Sequence, residues 1–245
     1  MNFPTIFDLL DRLAFLRGAP SAIVVLLAAA VAVVLWDVAL SLSKDRAGAR
    51  LNGSLLVFPA LLALYLVGGL LFVDVLDPRL AVVSVIGGVF VALIVLVTGR
   101  QVSWGRPPAS EVAHLTPGEM RPLGRLTVAG RTLLRLGLSA VVLLAVLLIA
   151  RRGMVILPGV PEGAAYLQAV VLGLGGLGLV AVATTAEPLP GGVGLLVFLQ
   201  GFALYYCMVD PSLPMVVALV ILQLVVALAA SYLAQARRRP ADTLN

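Results

Sequence analysis

Val193–Ala234 reads VGLLVFLQGFALYYCMVDPSLPMVVALVILQLVVALAASYLA, two apolar runs broken only by Asp210-Pro211-Ser212. A helix needs roughly 20 mostly apolar residues to cover the hydrocarbon core of a bilayer. Val193–Val209 and Leu213–Ala234 approach or meet that length. Five more such runs lie upstream: Pro20–Leu42, Gly53–Val73, Leu80–Thr98, Thr132–Ala150 and Gly163–Thr185. Hydrophobic residues make up 61% of the 245-residue chain, against about 45–50% apolar in soluble domains. The sequence therefore predicts an all-α fold, a polytopic transmembrane bundle of about seven spans, as one membrane domain over residues 19–236.

The net charge of +5 does not point to nucleic acid, because the basic residues flank the spans, where they act as topology signals. With the N-terminus outside, seven crossings leave Lys44, Arg46, Arg50, Arg100, Arg106, Arg121, Arg125, Arg131, Arg135 and Arg237–Arg239 inside. Only Arg12, Arg17, Arg79, Arg151 and Arg152 fall outside. That asymmetry follows the positive-inside rule and predicts a cell-membrane protein with a cytoplasmic C-terminal tail, residues 237–245. Six spans would require a credible run to be discarded.

Ahead of the first span, Phe3, Ile6, Phe7, Leu10, Leu13 and Ala14 recur at helical spacing among Asp8, Asp11 and Arg12. Those charges are wrong for a signal-peptide core. The pattern predicts an amphipathic helix in the interface over residues 1–18. Farther on, Thr116-Pro117-Gly118-Glu119 has the form of a capping box. The arginines at 125, 131 and 135 then read as a helix end reaching anionic headgroups.

A weak internal repeat organises the chain. Leu55-Leu56-Val57-Phe58 and Ala63-Leu64-Tyr65 recur as Leu195-Leu196-Val197-Phe198 and Ala203-Leu204-Tyr205. Each copy leads to an Asp-Pro turn and a leucine, Asp77-Pro78-Arg79-Leu80 and Asp210-Pro211-Ser212-Leu213. Matching spans one to three with five to seven leaves span four as connector, a parallel 3+1+3 arrangement known among transporters.

Polar chemistry inside the spans is sparse. Asp37, in Val34-Leu35-Trp36-Asp37-Val38, is the only acidic residue well inside a span. A carboxylate at that depth either serves a proton or substrate path or is satisfied by a structural contact such as Lys44. Gln168, Gln200 and Gln223 are the other long polar side chains there. Their amides suit interhelical hydrogen bonds but carry no titrating proton. Together these four residues are the candidate intramembrane polar contacts.

The remaining motifs point away from catalysis. Gly173-Leu174-Gly175-Gly176-Leu177-Gly178 resembles a dinucleotide loop, but it lies inside an apolar span without a preceding strand. Small residues there suit close helix packing. His114 and Cys207 are the only residues of their types and form no metal-ligand cluster. No nucleophile motif or haem-ligand arrangement is present. The expectation is a protein that is not an enzyme and needs no cofactor or metal.

One segment, Glu187–Tyr232, resembles the second and third helices of the three-helix small membrane subunit of NADH–quinone dehydrogenases and related membrane hydrogenases. In that family each helix carries a glutamate of the intramembrane proton path. Gln200 and Gln223 stand at the comparable places here. The resemblance implies a non-catalytic structural or accessory subunit beside proton-translocating partners, since an amide keeps hydrogen bonding and loses titration. The alternative is a small seven-helix transporter of 3+1+3 architecture. The expected partners are the lipid bilayer and other membrane subunits or further copies of the chain, with no nucleic acid.

Overall fold

The computed structural model describes Ala28, Ala30, Val31 and residues 53–75, 78–104, 128–152, 157–158, 165–185 and 188–236. Among the described residues there are six long helices and no strand. They are α1 (Gly53–Val75), α2 (Pro78–Trp104), α3 (Val128–Arg152), α4 (Ala165–Thr184), α5 (Pro188–Val209) and α6 (Leu213–Ala236). Four contain stretches long and apolar enough to cross a membrane: Arg79–Gln101, Leu167–Thr184, Pro188–Val209 and Leu213–Ala236. Val57–Gly69 in α1 and Leu133–Val146 in α3 are shorter apolar stretches. Of the first predicted span only Ala28, Ala30 and Val31 are described, all helical, with Ala30 fully buried. The 1–18 helix, Asp37, His114, the Thr116–Glu119 box and the 237–245 tail lie outside the described residues.

Helix starts follow proline chemistry. Pro78 and Pro188 occupy the first positions of α2 and α5, where the missing N–H costs nothing and φ is already helical. α5 therefore begins five residues before the Val193 predicted from hydropathy, with Leu189 and Pro190 buried. Where no water is available, backbone groups are best satisfied within the helix, so it persists through Gly191-Gly192. The next turn is short. Asp210 N–H still bonds Tyr206 O at 2.9 Å, and Ser212 O accepts from Met215 and Val216 N–H at 3.2 Å each, opening α6 at once.

α1 packs on α2, α2 on α6, α6 on α5, α5 on α4 and α4 on α3; α1 and α2 also touch α5. Four helices, α1, α2, α5 and α6, thus form the centre, α4 covers α5, and α3 touches only α4 among the described helices. On α6 the buried residues are Val216, Leu219, Gln223, Ala227, Ala230, Ser231 and Ala234. Val217, Ile221, Val225 and Leu228 on the other face are exposed. Helical spacing of burial, with apolar residues on both faces, is the arrangement expected of a helix between protein and lipid.

Glycine sets the closest crossings. A Cβ at Gly178 of α4 would stand 2.5 Å from Phe198 N and 2.8 Å from Gly194 O of α5. A Cβ at Gly194 would meet Gly178 O at 3.2 Å. The two backbones touch with nothing between them, as small residues permit in membranes. Gly176, two residues away, instead faces Val142 of α3. The glycine run is therefore a two-sided packing surface for α3 and α5.

The parallel pair α2 and α6 meets through Gly87 against Val220, Thr98 against Ser231 and Gln101 against Gln235. Thr98 Oγ1 donates to Ser231 Oγ at 2.8 Å in the interior, and Gln235 Nε2 donates to Gln101 Oε1 at 2.8 Å near the exposed end.

Candidate functional site

Gln200 stands midway along α5 with no exposed surface, and Gln223 of α6 is 3% exposed. Gln223 Nε2 donates to Gln200 Oε1 at 3.3 Å, joining two of the four sequence-predicted polar residues. A third helix closes over them. A Cβ at Gly68 of α1 would lie 2.6 Å from Gln200 Nε2, so glycine is what lets the helix approach the amide. Gln200 Nε2 itself has no hydrogen-bond partner among the described residues.

Tyr65 lies one turn before Gly68 on α1 and is fully buried, its ring against Gly88 of α2. The Tyr65 hydroxyl also lacks a hydrogen-bond partner among the described residues. An unpartnered polar group away from water costs about 1–3 kcal/mol. Among the described residues, the bundle centre therefore holds one interhelical amide bond and two polar atoms without partners, on α1 and α5. Amides and a phenol can orient a polar group; the amides cannot relay a proton by titration.

Gln168 is not brought to this place. It sits half-buried in the first turn of α4, with Nε2 buried and without a partner among the described residues, and makes no hydrogen bond to Gln200 or Gln223. Asp37 lies outside the described residues. Among those residues no group of three or more His, Cys, Asp or Glu could hold a metal ion. Cys207 is a buried free thiol.

Arg135 corrects the sequence reading of a headgroup-facing side chain. It is 8% exposed, and one guanidinium nitrogen donates both to Thr184 O at 3.0 Å and to Thr185 Oγ1 at 2.6 Å. A cation at the end of α4 satisfies a terminal carbonyl and complements the helix dipole. Thr184 Oγ1 donates back to Val180 O at 2.6 Å. Ser139, one turn after Arg135, is also buried, whereas Leu133, Leu134, Leu136 and Leu138 are exposed. α3 thus turns polar residues toward α4 and leucines outward. The signal available in sequence was the four-residue step from Arg135 to Ser139, which puts both on one helix face.

Next to this contact is a lateral groove of about 560 Å³ between α4, α5 and α6, with Thr185 among its lining residues. No protein-family model, curated protein or solved structure matches the chain.

Proposed function

We propose that this chain is a seven-span, non-catalytic accessory subunit of an energy-transducing membrane complex of the NADH–quinone dehydrogenase or hydrogenase type. The observation that carries the reading is the Gln223–Gln200 bond. It fills the bundle centre with amides that already bond to each other, at the places where the resembling family carries glutamates. Such a pair holds two helices in register and moves no proton. Broad apolar faces, including Leu133, Leu134, Val141 and Leu144 of α3, suit contact with lipid or neighbouring subunits.

The test is to solubilise the tagged protein from its native membrane in mild detergent and identify what co-purifies. Stoichiometric quinone-reductase or hydrogenase membrane subunits, lost from the Gln200→Ala/Gln223→Ala variant, are expected. Recovery of the chain alone or as a homo-oligomer overturns the reading.

A second reading, a small transporter of parallel 3+1+3 architecture, is favoured by one specific observation. The Asp-Pro turns recur at an interval of 133 residues, Asp77 to Asp210. Gly87 with Val220 and Thr98 with Ser231 are contacts across that same interval. Equivalent positions of two parallel helices meeting each other is what a two-fold axis between α2 and α6 requires. The Leu-Leu-Val-Phe match, from 55 to 195, runs at an interval of 140, about two helical turns out of this register. Reconstituted liposomes screened with radiolabelled solutes test it. Flux impaired by Asp37→Asn or by joint replacement of Pro59 and Pro214 supports transport; wild-type flux in both variants removes that site assignment.

A further inference from the structure

Hydrogen-bonding side chains inside the bundle fall on one line. Gln223, Ala227, Ser231 and Gln235 of α6 follow one another at about one helical turn each and so share a face. Starting from the exposed end of α6, Gln235 donates to Gln101 at 2.8 Å, Ser231 accepts from Thr98 at 2.8 Å, and Gln223 donates to Gln200 at 3.3 Å. Among the described residues seven polar or charged residues are buried, and four of them, Thr98, Gln200, Gln223 and Ser231, belong to this line. Polar side chains are costly in the hydrocarbon region, and they gather where they bond one another or meet water.

Two observations favour water over a dry zipper. A dry zipper pairs every polar atom, since an unpaired one costs about 1–3 kcal/mol. This line instead ends on Gln200 Nε2, fully buried and without a partner among the described residues. Its other end is open, because Gln101 and Gln235 are exposed. From Ser231 to Gln223 the distance is about 12 Å along the helix axis, and the α6 residue midway is Ala227, fully buried. With α2 and α6 paired at an interval of 133, Val91 and Val95 of α2 lie buried over the same stretch, so the line is closed there in this conformation. A methyl group is all that α6 itself sets across it. No side chain on the line is charged. What suits it is a small neutral molecule that accepts from an amide N–H, as buried water does for otherwise unpaired polar groups.

We propose that this line is a water-entry seam, which admits water from the Gln101–Gln235 end, between α2 and α6, to the unpaired amide of Gln200. The seam stands under either functional reading, because hydration of the amide pair neither requires nor excludes a solute path, and amides move no proton by titration.

The test uses the full chain in nanodiscs. In a Cys207→Ala background, Ser231→Cys and Ala227→Cys place a thiol on the line with little change in volume, and Val225→Cys and Leu228→Cys place one on the exposed face of the same helix. Iodoacetamide enters lipid as well as water but reacts with the thiolate, which forms where water reaches the sulfur. Both thiols on the line are expected to alkylate at least tenfold faster than both on the exposed face, with Ser231→Cys faster than Ala227→Cys. The deep end is read on the wild-type chain, carrying isotopically labelled glutamine, by water-edited solid-state NMR, the Gln200 signal being assigned by its loss in Gln200→Met. Its side-chain amide should draw polarisation from water faster than its own backbone amide, which is bonded within the helix. Alkylation of Ala227→Cys no faster than Leu228→Cys, or a Gln200 side-chain amide without water transfer, overturns the proposal and leaves a dry structural seam. Faster alkylation at Ala227→Cys than at Ser231→Cys overturns entry from this end.

Discussion

Thr98 on α2 and Ser231 on α6 are hydrogen-bonded at 2.8 Å across an interval of 133 residues, the interval that separates Asp77 from Asp210. α2 starts at Pro78 and α6 at Leu213, so positions about 133 residues apart lie at similar depth in these two parallel helices. Thr98→Val is expected to cost about 0.5–1.5 kcal/mol, leaving one hydroxyl in an apolar seam. Adding Ser231→Ala should cost little more. Denaturant titration in micelles, arranged as a double-mutant cycle, checks this; strictly additive losses would show that the hydroxyls are uncoupled.

The same logic applies with larger groups at the amide pair. Gln223→Met removes the only hydrogen-bond donor to Gln200 among the described residues and should destabilise by about 1–3 kcal/mol. Gln200→Met/Gln223→Met, with both amides replaced by side chains of similar length, should recover part of that loss. A double variant as unstable as the sum of the singles would count against a shared bond.

Glycine positions divide sharply. Gly178→Ala sets a methyl against the Phe198 backbone nitrogen, which has no rotamer with which to yield. A loss of about 3 kcal/mol or more is expected, with helices α4 and α5 forced apart. Gly137→Ala on α3 meets nothing within 4 Å and should gain up to about 1 kcal/mol from propensity alone. Thermal aggregation midpoints in detergent distinguish the two; a neutral Gly178→Ala would mean that the crossing is looser than described.

Tyr65→Phe deletes a buried hydroxyl that has no partner among the described residues. Stability should rise by about 1 kcal/mol, since an unsatisfied polar atom is removed without a cavity of any size. Stability and activity, once an assay exists, should be read on the same preparation. A more stable but inactive Tyr65→Phe would assign the hydroxyl a working role; a less stable one would reveal a partner.

The long apolar helices were legible because apolar length suffices to specify them: α2, α4, α5 and α6 each cover a run that hydropathy marks, although α5 starts five residues early at Pro188 and α2 continues to Trp104. What each helix faces was not. Val216 is buried and Val217 exposed, Leu219 buried and Leu222 exposed, and nothing in residue type separates them when both lipid and protein are apolar. Polar residues escape that ambiguity, so Gln200 and Gln223 could be singled out before their bond was known. Arg135 was misread for a different reason. An arginine near a helix end fits a headgroup as well as a neighbouring helix terminus, and its acceptors at Thr184 and Thr185 lie about fifty residues away. Tyr65 gave no signal, since a tyrosine in a span ordinarily marks an interface.

The seam between α2 and α6 has a consequence for synthesis. At about 5–20 residues per second, the 133 residues between Thr98 and Ser231 take roughly 7 to 27 s to follow one another from the ribosome. For that interval α2 has α1 beside it and no α6, and its Gly87 and Thr98 must rest against lipid or an insertion factor. α6, made after α3, α4 and α5, is therefore the helix that covers the open side of α2, and a chain stopped before Leu213 would leave that seam unfilled.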